Sequence, residues 1–124
     1  MLADSAAIAT IAVRDLDRAK PFYQDTLGFE LIDANSEVLT FRTGSGKMFV
    51  YRSEFGGSNK ATSAMFPTKD VTAVAADLKA KGLTFEHYDN LEGLTLQGDV
   101  YVGGGMSVAW FKDPDGNILS IISE

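Results

Sequence analysis

One histidine, one tryptophan, four tyrosines and no cysteine are the side chains with which this chain of 124 residues could do chemistry. The histidine, His87, lies in Thr84-Phe85-Glu86-His87-Tyr88-Asp89 at the end of an expected strand. It could act as a general base oriented by Glu86 or Asp89. Adjacent strand residues point to opposite faces, however, so Glu86 is not its natural partner, and an ordinary surface histidine is the better reading. The serines are scattered around a lone histidine, so no spacing assigns a Ser-His-acid triad. Without cysteine there are neither disulfides nor thiolate metal sites. Gly103-Gly104-Gly105 resembles a phosphate-cradling run only superficially, because no helix opening on Lys-Ser or Lys-Thr follows; it reads as a hairpin turn or a rim. No catalytic residue emerges from these patterns.

The aromatic and soft side chains carry more information. Phe49 and Tyr51 share one strand parity, as do Met106, Val108 and Trp110, and Tyr101 belongs to a neighbouring strand. Net charge is −6 and is uneven: residues 1–62 hold 7 basic and 8 acidic side chains, the remainder 4 and 9. This balance opposes binding to nucleic acid or an anionic membrane and favours a cationic ligand wherever the carboxylates rim a cavity. No apolar run approaches the roughly 20 residues of a membrane span. The first residues, with Asp4 and no basic region, lack the pattern of a secretory signal, so a cytoplasmic location is expected.

The elements that must position these residues repeat. Ala7–Val13 reads as a strand; Asp15 or Asp17 caps a helix whose Leu16, Ala19, Phe22, Tyr23, Thr26 and Leu27 recur at helical spacing up to Gly28. Pro21 is expected in its first turn or at a kink. Strands at 29–33, 37–43 and 47–52 complete a β-α-β-β-β unit. Residues 54–60, with Gly56-Gly57, read as a flexible linker. A second unit follows: a strand at 62–67, a helix capped by Asp70 and ending at Gly82, then strands at 83–87, around 96–102, at 107–112 and at 118–123. The chain is therefore expected to be one α+β domain over 1–124, with module 1 at about 1–53, the linker at 54–60 and module 2 at about 61–124.

Two segments are more specific. Ile11-Ala12-Val13-Arg14-Asp15-Leu16-Asp17-Arg18-Ala19-Lys20-Pro21-Phe22-Tyr23-Gln24-Asp25-Thr26-Leu27-Gly28-Phe29 resembles the opening strand and helix of the glyoxalase/bleomycin-resistance/dioxygenase (vicinal oxygen chelate) superfamily. Trp110-Phe111-Lys112-Asp113-Pro114-Asp115-Gly116-Asn117-Ile118-Leu119 looks like the turn before that superfamily's last strand. Both have plain physical roles, a helix cap and a tight turn, so they mark fold, not chemistry. The resemblance implies two β-α-β-β-β modules forming a curved, cup-shaped mixed sheet. It also implies, in metal-dependent members, four inward-facing ligands; here the matching positions are Ile8, Phe49, Ser63 and Ser120. Their neighbours Met48, Val50, Thr62 and Ala64 supply no imidazole or carboxylate either. No metal or other cofactor is therefore expected.

If those positions face the cup, its lining is Ile8, Thr10, Phe49, Tyr51, Ser63, Met65, Tyr101, Trp110 and Ser120: apolar, with a few hydroxyls, as ligand pockets usually are. The expected function is metal-independent binding of a small aromatic or cationic molecule, similar to the sequestration practised by the bleomycin-resistance branch, in a protein that pairs as a homodimer. The competing reading is a glyoxalase-like lyase or isomerase, or another enzyme of the superfamily, with a metal-free or unrecognised site; Tyr51, Tyr101 or His87 would then supply the titratable group. A third reading, a structural or regulatory partner protein, predicts a filled cup and an exposed apolar patch elsewhere.

Overall fold

A computed structural model describes residues 1–124. After a short 3-10 turn at Leu2–Asp4, strand β1 (Ala9–Val13) runs into α1 (Leu16–Pro21). Asp15 caps that helix, its carboxylate accepting from the N–H groups of Asp17 and Arg18 at 3.0 and 3.2 Å. Pro21 lies at the last residue of α1 instead of in its first turn. It has no N–H to give to the preceding turn, and the chain continues as one wider π turn, Phe22–Thr26, closed by the Leu27 N–H on the Phe22 carbonyl at 2.9 Å. Gly28, at φ +79°, ends the segment as expected.

Strands β2 (Glu30–Ala34), β3 (Val38–Thr43) and β4 (Gly46–Arg52) follow, and the first sheet has the order β1-β4-β3-β2, with β1 parallel to β4. The second module is β5 (Thr62–Thr68), α2 (Val71–Ala80), β6 (Phe85–Glu86), β7 (Thr95–Gln97), β8 (Val100–Gly103), β9 (Met106–Lys112) and β10 (Ile118–Ser123). Its sheet runs β5-β10-β9-β8-β7, with β6 also against β9. This is the α+β arrangement of two β-α-β-β-β modules with mixed sheets.

Two expectations need correction. The strand expected over 96–102 is a hairpin, because Gly98 (φ +66°) turns the chain between β7 and β8. The strand expected at 83–87 shrinks to Phe85 and Glu86, which alone pair with Phe111 and Trp110, while the Leu83 N–H is spent on the Leu78 carbonyl at the end of α2. The triple glycine behaves as a hairpin turn, Gly104 and Gly105 having φ of +59° and +77°.

Alternation along the strands separates two faces. Ile11, Val13, Leu39, Phe41, Met48 and Val50 of the first sheet join Phe85, Phe111, Leu119 and Ile121 of the second in one buried cluster that also takes in Ala19, Tyr23, Val71, Ala75 and Leu78. The helix-facing sides of both modules thus share a core. The other face of each sheet holds the remaining parity and is the more exposed.

The modules are also joined by polar contacts. The Asp113 carboxylate accepts from the Tyr23 hydroxyl at 2.7 Å, from the Asn117 side-chain amide at 2.8 Å, and from the N–H groups of Asp115 and Asn117 at 2.9 Å. Asn117 in turn donates to the Ala12 carbonyl at 2.7 Å and accepts from the Gly57 N–H at 3.2 Å. Asp115 accepts from the Arg14 N–H and from the Arg18 guanidinium. The glycine pair expected to be flexible is part of this junction. A Cβ on Gly56 would stand 2.6 Å from the Val13 and Arg14 backbone, and one on Gly57 only 1.9 Å from the Asp115 carbonyl oxygen. Glycine is required there for close backbone approach, not for slack.

Candidate functional site

On the open face of the first sheet, Thr10 sits beside Phe49, and Ile8 and Tyr51 continue the same two rows. Ile8 and Tyr51 are 37% and 38% exposed, which is high for side chains of this type. Val38 and Thr40 of β3 stand opposite Tyr51 and Phe49. Lys47, two residues before Phe49, holds its ammonium 5.5 Å from the centre of the Phe49 ring.

The open face of the second sheet is built around Ser120, which lies between Met65 of β5 and Trp110 of β9. Ser120 is buried, Trp110 half-buried and Met65 54% exposed. Tyr101 joins them through β8, its ring 5.5 Å from that of Trp110 at 64°. The Trp110 indole N–H donates to the Thr62 hydroxyl at 3.2 Å. Ser63 is half-buried at the start of β5, its hydroxyl 3.4 Å from the Asn59 side-chain amide.

The nine sequence-derived positions therefore fall into two groups. Thr10, Phe49 and Tyr51 lie in the first sheet with Ile8 just before β1, while Ser63, Met65, Tyr101, Trp110 and Ser120 belong to the second. No larger cavity of the single chain joins the groups. The largest, about 550 Å³, opens between the start of β1 and the edge of β5, and takes only Met65 from the set.

One further aromatic residue belongs to the second group. Tyr88 follows β6, and its ring packs edge-on to Trp110 at 5.7 Å and 77°. Its backbone is clasped by Tyr101: the Tyr88 N–H donates to the Tyr101 hydroxyl, which donates to the Tyr88 carbonyl at 2.9 Å. The Tyr88 hydroxyl is buried and has no hydrogen-bond partner. Burial pushes the phenol above its ordinary pKa and the Glu86 carboxylate adds to this, while Lys112 opposes it. Period-two parity from Glu86, which pairs with Trp110, was the available sequence signal for Tyr88.

Of the three titratable candidates, Tyr101 and His87 are engaged within the chain, while Tyr51 stays exposed on the first sheet. The Tyr101 hydroxyl is committed to the Tyr88 backbone. His87 meets neither Glu86 nor Asp89; its Nε2 lies 2.8 Å from Asp99, whose other oxygen is 3.2 Å from Lys79 on α2. Glu86 pairs with Lys112 at 3.3 Å. The His87 hydrogen bond, followed by the Lys79 contacts, holds the Asp99 carboxyl below the usual carboxylate range.

The four positions at which the resemblance would place metal ligands offer an isoleucine, a phenylalanine and two serine hydroxyls, one of them buried. That donor set does not fit a divalent transition metal, which needs imidazole, carboxylate or thiolate. Elsewhere in the chain, no group of three or more His, Asp or Glu side chains comes together to hold an ion. No helix is long and apolar enough to cross a membrane.

Solved structures with this architecture include a glyoxalase family protein from Enterococcus faecalis, 21% identical with a TM-score of 0.74 over 99% of this chain and all of that one. A bleomycin-binding protein complexed with bleomycin is 21% identical, with a TM-score of 0.71 over 97% and 98% of the two chains. A lactoylglutathione lyase from Agrobacterium tumefaciens is 17% identical, with a TM-score of 0.71 over 97% and 93%. At such identities the likeness is one of fold, and it spans bleomycin-binding and lyase proteins alike. The model of the Glyoxalase/Bleomycin resistance protein/Dioxygenase superfamily matches residues 5–121, and the chain belongs to that superfamily.

Proposed function

We propose that this protein binds a small aromatic or cationic molecule on the open strand faces, without metal, in the manner of a sequestering protein. The observation that carries this reading is the aromatic cluster of Trp110, Tyr101 and Tyr88 beside the exposed Met65. Large rings held by packing offer much apolar area at little rotamer cost. The donor set at the four ligand positions supports metal independence. Engagement of Tyr101 and His87 in structural hydrogen bonds favours binding over catalysis.

The two groups of lining residues are brought together by a second copy of the chain, the first sheet of one protomer completing the second sheet of its partner. Support comes from the exposure of Tyr51, Ile8, Met65 and Leu96, whose apolar surface a homodimer would cover. The cytoplasm is the proposed location.

Titration of the Trp110 fluorescence with bleomycin and a panel of planar organic cations tests the reading. A saturable change is expected, and Trp110→Ala should weaken binding about ten- to a hundredfold. Unchanged fluorescence across the panel, or equal affinity in a folded Trp110→Ala protein, would overturn it. Sedimentation at micromolar concentration should give a dimer; a species of 13.4 kDa would remove the shared site.

A further inference from the structure

The only buried side-chain hydroxyls without a partner are those of Thr68 and Tyr88. Thr68 ends β5 beside apolar walls, with no other polar side chain to share a ligand except across the groove of about 550 Å³. Tyr88 is different. Its ring is one wall of the aromatic cluster, it stands on a connection without regular structure between β6 and β7, and Glu86 and Lys112 on the same face are spent on each other.

From this we infer that the Tyr88 hydroxyl is a specificity-determining donor: the ligand carries a hydrogen-bond acceptor, such as an amide or ketone carbonyl, next to the aromatic or cationic body that Trp110 receives. The inference rests on the binding reading above and narrows it. The chemistry follows from burial. A phenol is neutral at physiological pH, so it has one proton to give and, in this chain, nothing to give it to. A buried polar group left unpaired is destabilising, and a ligand acceptor that reaches it recovers the loss. A ligand of the same shape lacking the carbonyl leaves the hydroxyl as it is. A binding site that holds an unmet donor discriminates by chemistry as well as by shape. Tyr101 is the positioning residue, since its hydroxyl grips both backbone polar groups of Tyr88 and so fixes where the ring stands.

The test uses the whole protein and two probes of matched shape, 4-(aminomethyl)benzamide, which has the carbonyl, and 4-isopropylbenzylamine, which does not. Calorimetry and Trp110 fluorescence should show wild type preferring the amide by about tenfold, and Tyr88→Phe should lose that preference while still binding the isopropyl compound as wild type does. Without ligand, Tyr88→Phe should melt at the same temperature as wild type or higher, because the substitution removes an unsatisfied group. Equal affinities of wild type for the two probes, absence of binding by both, or a Tyr88→Phe protein that keeps the preference would overturn the inference. So would a lower melting temperature for Tyr88→Phe, since the hydroxyl would then be serving the fold. If Tyr88→Phe binds both probes normally while Trp110→Ala binds neither, the donor role fails and the binding reading survives; if Trp110→Ala changes nothing, both fail.

Discussion

The Asp113–Asn117 turn and the cluster around Trp110 both bury polar atoms and treat them in opposite ways. In the turn, one carboxylate accepts from four donors and the Asn117 side chain reaches backbone of the first module and of the segment joining the modules. In the cluster, Tyr101 is fully engaged, while the adjacent Tyr88 hydroxyl has no partner and Met65 stays largely exposed. Polar groups that hold the fold are satisfied inside the chain, whereas the surface proposed to bind leaves capacity unused. The contrast separates residues whose loss unfolds the protein from residues whose loss leaves it stable and idle.

The sharpest way to break that comparison is at the junction. Gly57→Ala would force a Cβ to 1.9 Å from the Asp115 carbonyl oxygen at a φ of +76°, and should cost about 3 kcal/mol or more in denaturant unfolding. Gly28→Ala, at φ +79° with no atom within 4 Å of its Cβ, is the control and should cost only about 1–2 kcal/mol. Similar losses at the two sites would show that close approach at the junction does not matter. Asp113→Ala removes the acceptor of four hydrogen bonds and should lower stability by about 2–4 kcal/mol, with binding at the cluster retained in whatever fraction stays folded.

A smaller effect is expected from Tyr23→Phe, about 1–2 kcal/mol, since Asp113 keeps its other donors. Burial and the neighbouring Asp113 raise the Tyr23 phenol far above its ordinary range, so this loss should be constant across neutral and mildly alkaline pH. The smallest effect concerns Asp99. Its folded-state carboxyl titrates below the ordinary value, so its contribution is present above the ordinary carboxylate range and is lost as pH falls through the lowered folded value. Asp99→Asn should therefore lose that small contribution at neutral pH, match wild type at low pH and so flatten the acid limb of the stability curve; a variant equally acid-sensitive would assign that limb to other carboxylates.

The same contrast explains what could be read from the sequence. Asp15, Gly28 and Asp70 act through local rules of capping, and they were legible for that reason. The Asp-Pro-Asp-Gly-Asn turn was legible as a turn, but its hold on Tyr23, Ala12, Arg14 and Gly57 was not, because those partners lie 60 to 105 residues away. Gly56-Gly57 read as slack because composition alone cannot distinguish a glycine that must bend from one that must let backbone pass. Parity grouped Phe49 with Tyr51 and Trp110 with Met106 and Val108, each set on one strand, while Ser120 joined them only through the resemblance. Parity could not show that the two groups lie on separate sheets, which depends on tertiary packing. Tyr88 is hard to read from the sequence because β6 is only two residues long, too short for alternation to stand out.

The position of β10 has a consequence for the order in which the molecule is made. It lies between β5 and β9, so β5 has no strand neighbour in its sheet until residues 118–123 exist. The turn that precedes it also carries the bonds closing the first module's end. During synthesis the first sheet can assemble once residues 9–52 exist, while β5 and the helix-facing side of the second module wait, uncovered, for residues 118–123 to emerge. That interval is the period in which the nascent chain is most open to association with other unfinished copies, and a stall in translation after Lys112 would extend it.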